Sequence, residues 1–164
     1  MIRLTHEESE KIEEYYRRYH VKLFRIAAAS FYNNNAIAED VVAQLFLTVC
    51  QKPQKLLSHP NPEAWLVCAL HMEISHEKRR RAKYQAVLVG IMPLLREDTA
   101  ENRMQLDALY PGLRNMPEFQ LVKWFVIDGY SIAEIANRLD ISISACKKRL
   151  ERARKTLSEK LREK

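Results

Sequence analysis

The chain has 164 residues, of which 47% are hydrophobic and 29% are charged, and its formal net charge is +6. This balance is typical of a folded protein and excludes extensive disorder. Because there are only three glycines and six prolines, few residues are left for the tight turns of a sandwich or a barrel, so we expect an all-α protein.

Positive charge is concentrated in the second half of the chain. The net charge is −1 over residues 1–76, +2 over 77–109 and +5 over 110–164. A basic C-terminal part predicts contact with a polyanion, and nucleic acid is the commonest such partner. No apolar run reaches the length of about 18 residues that a membrane span needs, so we expect no membrane insertion and a cytoplasmic protein.

Three helices are predicted in the first half. Thr5 and Glu8 have the spacing of a capping box, and an apolar face follows until the asparagines at 33–35. A second periodic stretch runs from Ile37 to Pro53, and residues 51–62 read as a loop. Asn61 and Pro62 then begin a third helix, which we expect to extend into the basic run at 78–81.

The middle of the chain has no clear helical stripe. Its apolar residues are clustered and interrupted by Pro93 and by acidic residues, so residues 82–110 are predicted to be a linker with partial helix. The sequence thus predicts two small helical domains, over 1–81 and 111–164.

The last part of the chain has the pattern of a helix-turn-helix. A largely apolar helix begins near Pro117 and is stopped by Gly129, and Ser131 with Glu134 forms a second capping box. A short helix then ends at Asp140. The following helix, capped by Ser142, has apolar residues at steps of four, three, four and four: Cys146, Leu150, Ala153, Leu157 and Leu161. Two helices joined by a turn of this kind commonly read the major groove.

The other side of the last helix carries polar side chains suited to base edges and phosphates. Lysine and arginine reach guanine acceptors, whereas serine can donate or accept. The candidate base-reading residues are Ser144, Lys147, Lys148, Glu151 and Arg152. Nearer the flanks, the candidate phosphate contacts are Arg149, Arg154 and Lys155. A solvated basic helix is the alternative interpretation.

Catalytic and metal-binding interpretations receive little support. Cys68 and His71 have a spacing that can share a metal ion, but His76 lies two turns from Cys68, so packing or solvent exposure explains these residues better. The three cysteines include no CxxC pair. No arrangement for nucleophilic or acid–base catalysis is apparent, and we expect a protein without enzymatic activity, metal or cofactor.

Both halves resemble one family. The motifs in the second half are MPEF at 116–119, GYSIAEIA at 129–136, and KKRL with RAR at 147–154. Those in the first half are YRRY at 16–19, AEDVV at 38–42, AWL at 64–66 and the arginines at 79–81. Together, in this order, they resemble the extracytoplasmic-function (ECF) sigma factors of bacterial RNA polymerase, within the sigma-70 family.

The resemblance implies a function for each domain. The N-terminal domain is implied to bind core RNA polymerase and to open the downstream promoter element, with the polymerase contact at Asp40, Val41, Gln44 and Leu47. The C-terminal domain is implied to read the upstream element through the residues of the last helix. Arg79, Arg80 and Arg81 are further candidate DNA contacts. Ala43 and Gln44 stand where family members usually carry Gln and Glu.

The resemblance names the expected partners, and two alternative functions remain open. Core RNA polymerase and double-stranded promoter DNA are the expected partners, and an anti-sigma protein is a candidate third. One alternative is a sigma-like helix-turn-helix regulator that does not melt promoters. A more distant alternative is a helical protein that binds a metal or a small molecule.

Overall fold

The computed structural model describes residues 4–162, which form helices and no strand. The α-helices are α1 (His6–Ser30), α2 (Asn35–Gln51), α3 (Gln54–Leu57), α4 (Pro62–Leu88), α5 (Met92–Arg96), α6 (Ala100–Leu109), α7 (Pro117–Val126), α8 (Ile132–Arg138) and α9 (Ile143–Arg162). Two 3₁₀ turns lie at Val89–Ile91 and Leu113–Asn115. The all-α prediction is confirmed.

Residue contacts divide the chain into two compact units. The N-terminal unit is Met1–Lys78 and the C-terminal unit is Arg79–Lys164. Each has its own apolar core, so the prediction of two helical domains is confirmed. None of the described helices combines the length and the apolar composition needed to cross a membrane.

The helix starts in the N-terminal unit follow local chemistry. The Thr5 hydroxyl accepts a hydrogen bond from the Glu8 amide, and the Glu8 carboxylate accepts one from the Thr5 amide, as the capping box predicts. Asn34 caps α2 through the Ile37 amide, and Asn61 caps α4 through the Ala64 amide. Such caps each stabilise a helix by about 1 kcal/mol, which explains why these starts are predictable from sequence.

The core of the N-terminal unit is built mainly from α1 and α2. Leu23 and Ala27 of α1 pack with Val41 and Leu45 of α2, and α4 adds leucines on the same side of the unit. The loop predicted between 51 and 62 contains one turn of helix, α3, because Leu56 is buried in this core and fixes the chain there. A single buried side chain has no periodicity that sequence analysis could detect.

The third predicted helix is longer than expected. Helix α4 continues past Arg81 to Leu88, and its last part carries Tyr84 and Leu88 into the core of the C-terminal unit. With Ile91 these residues have helical steps of four and three, but the neighbouring Val87 and Val89 obscure the pattern. Val89 is 70% exposed, so hydrophobicity at this position does not report burial.

The segment predicted as a linker is mostly helical. Residues 82–110 contain the end of α4, a 3₁₀ turn, α5 and α6. Leu106 of α6 lies in the same core as Leu113, Phe119 and Phe125. Within this segment, residues 97–99, between α5 and α6, and Tyr110 lie outside the helices and the 3₁₀ turn.

Candidate nucleic-acid interface

Helices α8 and α9 form the helix-turn-helix predicted from the sequence. Ser131 and Glu134 make a complete capping box at the start of α8, and the Ser142 hydroxyl accepts a hydrogen bond from the Ala145 amide at the start of α9. Between the helices, Asp140 has a left-handed backbone with φ of 51°, a conformation that aspartate tolerates better than most residues. The chain therefore turns within four residues and presents α9 beside α8.

Helix α7 supports this pair from the inside. Phe119, Val122 and Phe125 of α7 are buried with Ile135 of α8 and Leu150 of α9. Removing side chains of this size from water contributes about 1.5–3 kcal/mol each. Because three helices share one core, the orientation of α9 is fixed by packing rather than by the turn alone.

The predicted amphipathic pattern of α9 is confirmed by burial. Cys146, Leu150, Ala153 and Leu157 are buried, and Leu161 packs partly against the same core. The opposite side carries an exposed set of polar residues, here called the basic face: Ser144, Lys147, Lys148, Arg149, Arg152 and Lys155. Within residues 4–162, the five cations of this face form no ion pair, so their charges remain available to an external anion.

Two residues predicted on the DNA-reading side are turned toward the protein. The guanidinium Nη2 of Arg154 lies 2.6 Å from Oε1 of Glu151, and the Tyr84 hydroxyl donates to Oε2 of Glu151 over 3.3 Å. The Lys83 Nζ is 3.8 Å from the same carboxylate. Glu151 and Arg154 are therefore paired with each other and with the end of α4, whereas sequence analysis had grouped them with the basic face.

Electrostatics follow this arrangement. The hydrogen bond from Arg154 lowers the pKa of Glu151, and the nearby positive charges of Arg154 and Lys83 act in the same direction. Burial raises the pKa of Tyr84 to about 12, with the negative Glu151 adding to the shift. At neutral pH the pair consists of a protonated phenol and a charged carboxylate, and the hydrogen bond between them is long, at 3.3 Å.

The arginine run at 79–81 is not uniform. Arg79 is exposed and Arg80 is half-buried. Arg81 donates from Nη1 to the carbonyl oxygen of Phe125 at 2.6 Å and from Nη2 to that of Tyr130 at 3.2 Å. Its guanidinium also lies 4.2 Å from the centre of the Phe125 ring. The predicted DNA contact at Arg81 thus has a structural role in the C-terminal unit.

The residues predicted to contact polymerase all lie on α2, but their side chains differ in how far they are exposed to solvent. Leu47 is 51% exposed, which is unusual for leucine on a helix with seven buried residues. Asp40 and Gln44 are half-exposed. Val41 is 4% exposed and its side chain belongs to the core, so the expected contact at Val41 disagrees with its position.

A cleft in the N-terminal unit includes residues that sequence analysis missed. It has a volume of about 340 Å³, and its lining includes the aromatic Trp65, the cations Lys52 and Lys55, the carboxylate Glu73, and Cys68. An aromatic ring beside two cations can stack a base and hold its phosphate. The only sequence signal was Trp65 itself, because the lysines belong to the segment predicted as a loop.

No metal-binding cluster is found in the part of the chain that the structure describes, where three or more His, Cys, Asp or Glu side chains nowhere come together suitably. Cys68 and His71 are both exposed on α4. The weak sequence signal for a metal thus gains nothing from the fold.

Two helical units, one of which contains a helix-turn-helix with an exposed basic face, have the form of a DNA-binding protein. The family model of Sigma-70 region 2 matches residues 15–84, and that of Sigma-70, region 4 matches residues 118–157. Among curated proteins, no match to this chain is found. The chain belongs to the sigma-70 family and is an ECF-type sigma factor that directs promoter recognition by RNA polymerase.

Proposed function

We propose that the basic face of α9 reads the upstream promoter element. Ser144, Lys147, Lys148 and Arg152 contact base edges, and Arg149 with Lys155 contacts phosphates. The observation that carries this assignment is the set of five exposed cations without an ion pair, on the side of α9 opposite the core. Base contacts of this kind specify sequence, whereas phosphate contacts supply affinity that falls with salt.

The N-terminal unit supplies the polymerase contact in this proposal. Exposed Leu47 is the apolar anchor, and Asp40 with Gln44 forms its polar surroundings. Interfaces take most of their energy from a few well-packed anchors, so Leu47 contributes more than either polar neighbour. Val41 supports the helix from the core. As a partner of RNA polymerase, the protein acts in the cytoplasm.

The Trp65 cleft is assigned to the downstream element. Once strands separate, an unstacked base enters the cleft and stacks on Trp65, and Lys52 and Lys55 hold the neighbouring phosphates. Stacking on an aromatic side chain contributes about 1–3 kcal/mol per base, which is enough to hold a melted position open.

Transcription with reconstituted polymerase tests the proposal. The full-length protein is combined with core RNA polymerase and fragments of genomic DNA, and start sites are mapped. We expect discrete starts that share an upstream sequence, with Lys147→Ala and Lys148→Ala relaxing that sequence. Lys160→Ala is the matched control, because it removes an exposed cation from the far end of the same helix. Sequence-specific DNA binding without polymerase binding would favour the regulator instead.

A further inference from the structure

The end of α4 holds a tyrosine against the recognition helix. Tyr84 is 4% exposed, its ring meets that of Phe125 edge to face at 5.2 Å, and its hydroxyl donates to Glu151. The ring contact belongs to the core of the C-terminal unit, whereas the hydroxyl bond goes to Glu151, which lies among the cations at 147–155 of α9. A phenylalanine at this position would keep the first interaction and lose the second.

Glu151 is poorly placed to read a base itself. A carboxylate that specifies cytosine accepts from its amino group, and the carboxylate must point away from the protein to do so. Here Oε1 pairs with Arg154 and Oε2 accepts from Tyr84. Both oxygens are therefore engaged by other side chains of the protein, although the Glu151 side chain is 38% exposed and lies one turn after Lys147 and Lys148 on α9.

A second anchor ties the same part of α4 to the helices beneath α9. Arg81 bonds the carbonyl oxygens of Phe125 and Tyr130, at the end of α7 and just before α8. The end of α4 thus contacts α7, the segment before α8, and α9 within four residues. The apolar core fixes the orientation of α9, and the hydrogen bond from Tyr84 to Glu151 adds a polar contact that ties this helix to the end of α4.

We propose that Tyr84 is a positioning residue for promoter recognition, which acts through Glu151 to orient the base-reading side chains of α9. The proposal rests on the assignment of base reading to the basic face. Glu151 aligns the helix, and Lys147, Lys148 and Arg152 make the base contacts. Tyr84 keeps its proton at neutral pH, as an ordinary tyrosine does, and burial raises its pKa further, to about 12, so it remains a donor.

The test measures base preference with the full-length protein. Wild type, Tyr84→Phe and Glu151→Gln are used to select duplexes from a randomised library, and dissociation constants are measured for selected and scrambled sequences. We expect Tyr84→Phe to lower the ratio of specific to non-specific affinity by about 2–12-fold, which corresponds to the 0.5–1.5 kcal/mol of one hydrogen bond. Tyr130→Phe is the matched control. It also removes one tyrosine hydroxyl, but the Tyr130 ring contacts Arg138, and the hydrogen bond to Glu151 is not affected.

A double-mutant cycle separates positioning from direct reading. In a Glu151→Ala background, we expect Tyr84→Phe to change the affinity ratio no further, because the residue it acts through is gone. A changed preference in Glu151→Ala with a wild-type preference in Tyr84→Phe would show that Glu151 reads a base and would overturn the proposal. The proposal would also be overturned if Tyr84→Phe lowered the melting temperature but left the ratio of specific to non-specific affinity at the wild-type value. Absence of sequence selection by the wild type would instead overturn the assignment of base reading to the basic face, on which the proposal rests, and transcription with core polymerase would still test the proposed function.

Discussion

Arg81 is bonded to the carbonyl oxygen of Phe125 at 2.6 Å across 44 residues of chain, and it stacks on the ring of the same residue. This one side chain satisfies a carbonyl at the end of α7 and covers an aromatic ring of the core. It belongs to a run of three arginines that, by sequence, all look like DNA contacts.

We expect Arg81→Ala to weaken the C-terminal unit. Loss of two hydrogen bonds from a charged donor and of a cation–π contact should lower the free energy of unfolding by about 2–4 kcal/mol. Hydrogen–deuterium exchange over the α7 peptides measures this locally. Arg79→Ala serves as the control and should leave α7 protection nearly unchanged, because Arg79 is exposed. Wild-type exchange in Arg81→Ala together with weakened DNA binding would return Arg81 to the DNA interface.

The smallest stable DNA-binding fragment should begin near residue 79. A fragment of residues 110–164 lacks Tyr84, Leu88, Ile91 and Leu106, which are all buried in the core it retains. Losing large buried side chains costs about 2–5 kcal/mol each, more than a domain of this size can tolerate. Circular dichroism should show cooperative melting for residues 79–164 and none for 110–164. Two fragments with equal melting temperatures would contradict this.

Limited proteolysis tests residues 82–110 independently. We expect the first cut at residues 97–99, which are exposed and lie between α5 and α6. Residues 84–91 should resist cleavage because Tyr84, Leu88 and Ile91 are buried. Mass spectrometry of the first products locates the cut, and early cleavage within 84–91 would restore the interpretation of a flexible linker.

Alkaline pH should destabilise the C-terminal unit through Tyr84. Burial holds the pKa of Tyr84 at about 12 in the folded protein, above the ordinary tyrosine value of about 10, so the folded state holds the proton more tightly. The resulting stability is fully present below pH 10 and is lost as pH rises through 12, by about 2–3 kcal/mol at most. Urea denaturation at several pH values from 9 to 12 measures the loss. Tyr84→Phe should lack this loss. If the free energy of unfolding falls equally steeply with pH in both proteins, Tyr84 is not its source.

Exposed Leu47 and buried Leu45 provide a paired test of α2. Leu47→Ala should keep the melting temperature and reduce capture of core polymerase, whereas Leu45→Ala should destabilise the N-terminal unit by about 2–5 kcal/mol. Val21→Ala, an exposed apolar residue of α1, controls for loss of surface hydrophobicity. If Leu47→Ala and Val21→Ala capture the same amount of core polymerase, the contact does not lie at Leu47. Gln44→Glu should strengthen capture where the family geometry is kept.

The features predicted from sequence are those that neighbouring residues determine. The capping boxes at Thr5 and Ser131 join residues three apart, and the buried stripe of α9 repeats within one helix. The length of α4 and the pairing of Glu151 depend instead on contacts across 44 and 67 residues. Polar pairs at such separations leave no periodic pattern in the sequence. The sequence therefore places Arg81 with its neighbouring arginines, and Glu151 with the polar face of the last helix.

The 67 residues between Tyr84 and Glu151 also affect how the protein is made. A ribosome adds about 5–20 residues per second, so the end of α4 is synthesised roughly 3–13 s before its partner on α9. During this interval Leu88 and Ile91 have no α7 or α9 to cover them, whereas the N-terminal unit already has all its helices. The nascent chain therefore carries a temporarily uncovered apolar segment, and mutations that slow its docking should first appear as poor yield rather than as altered promoter choice.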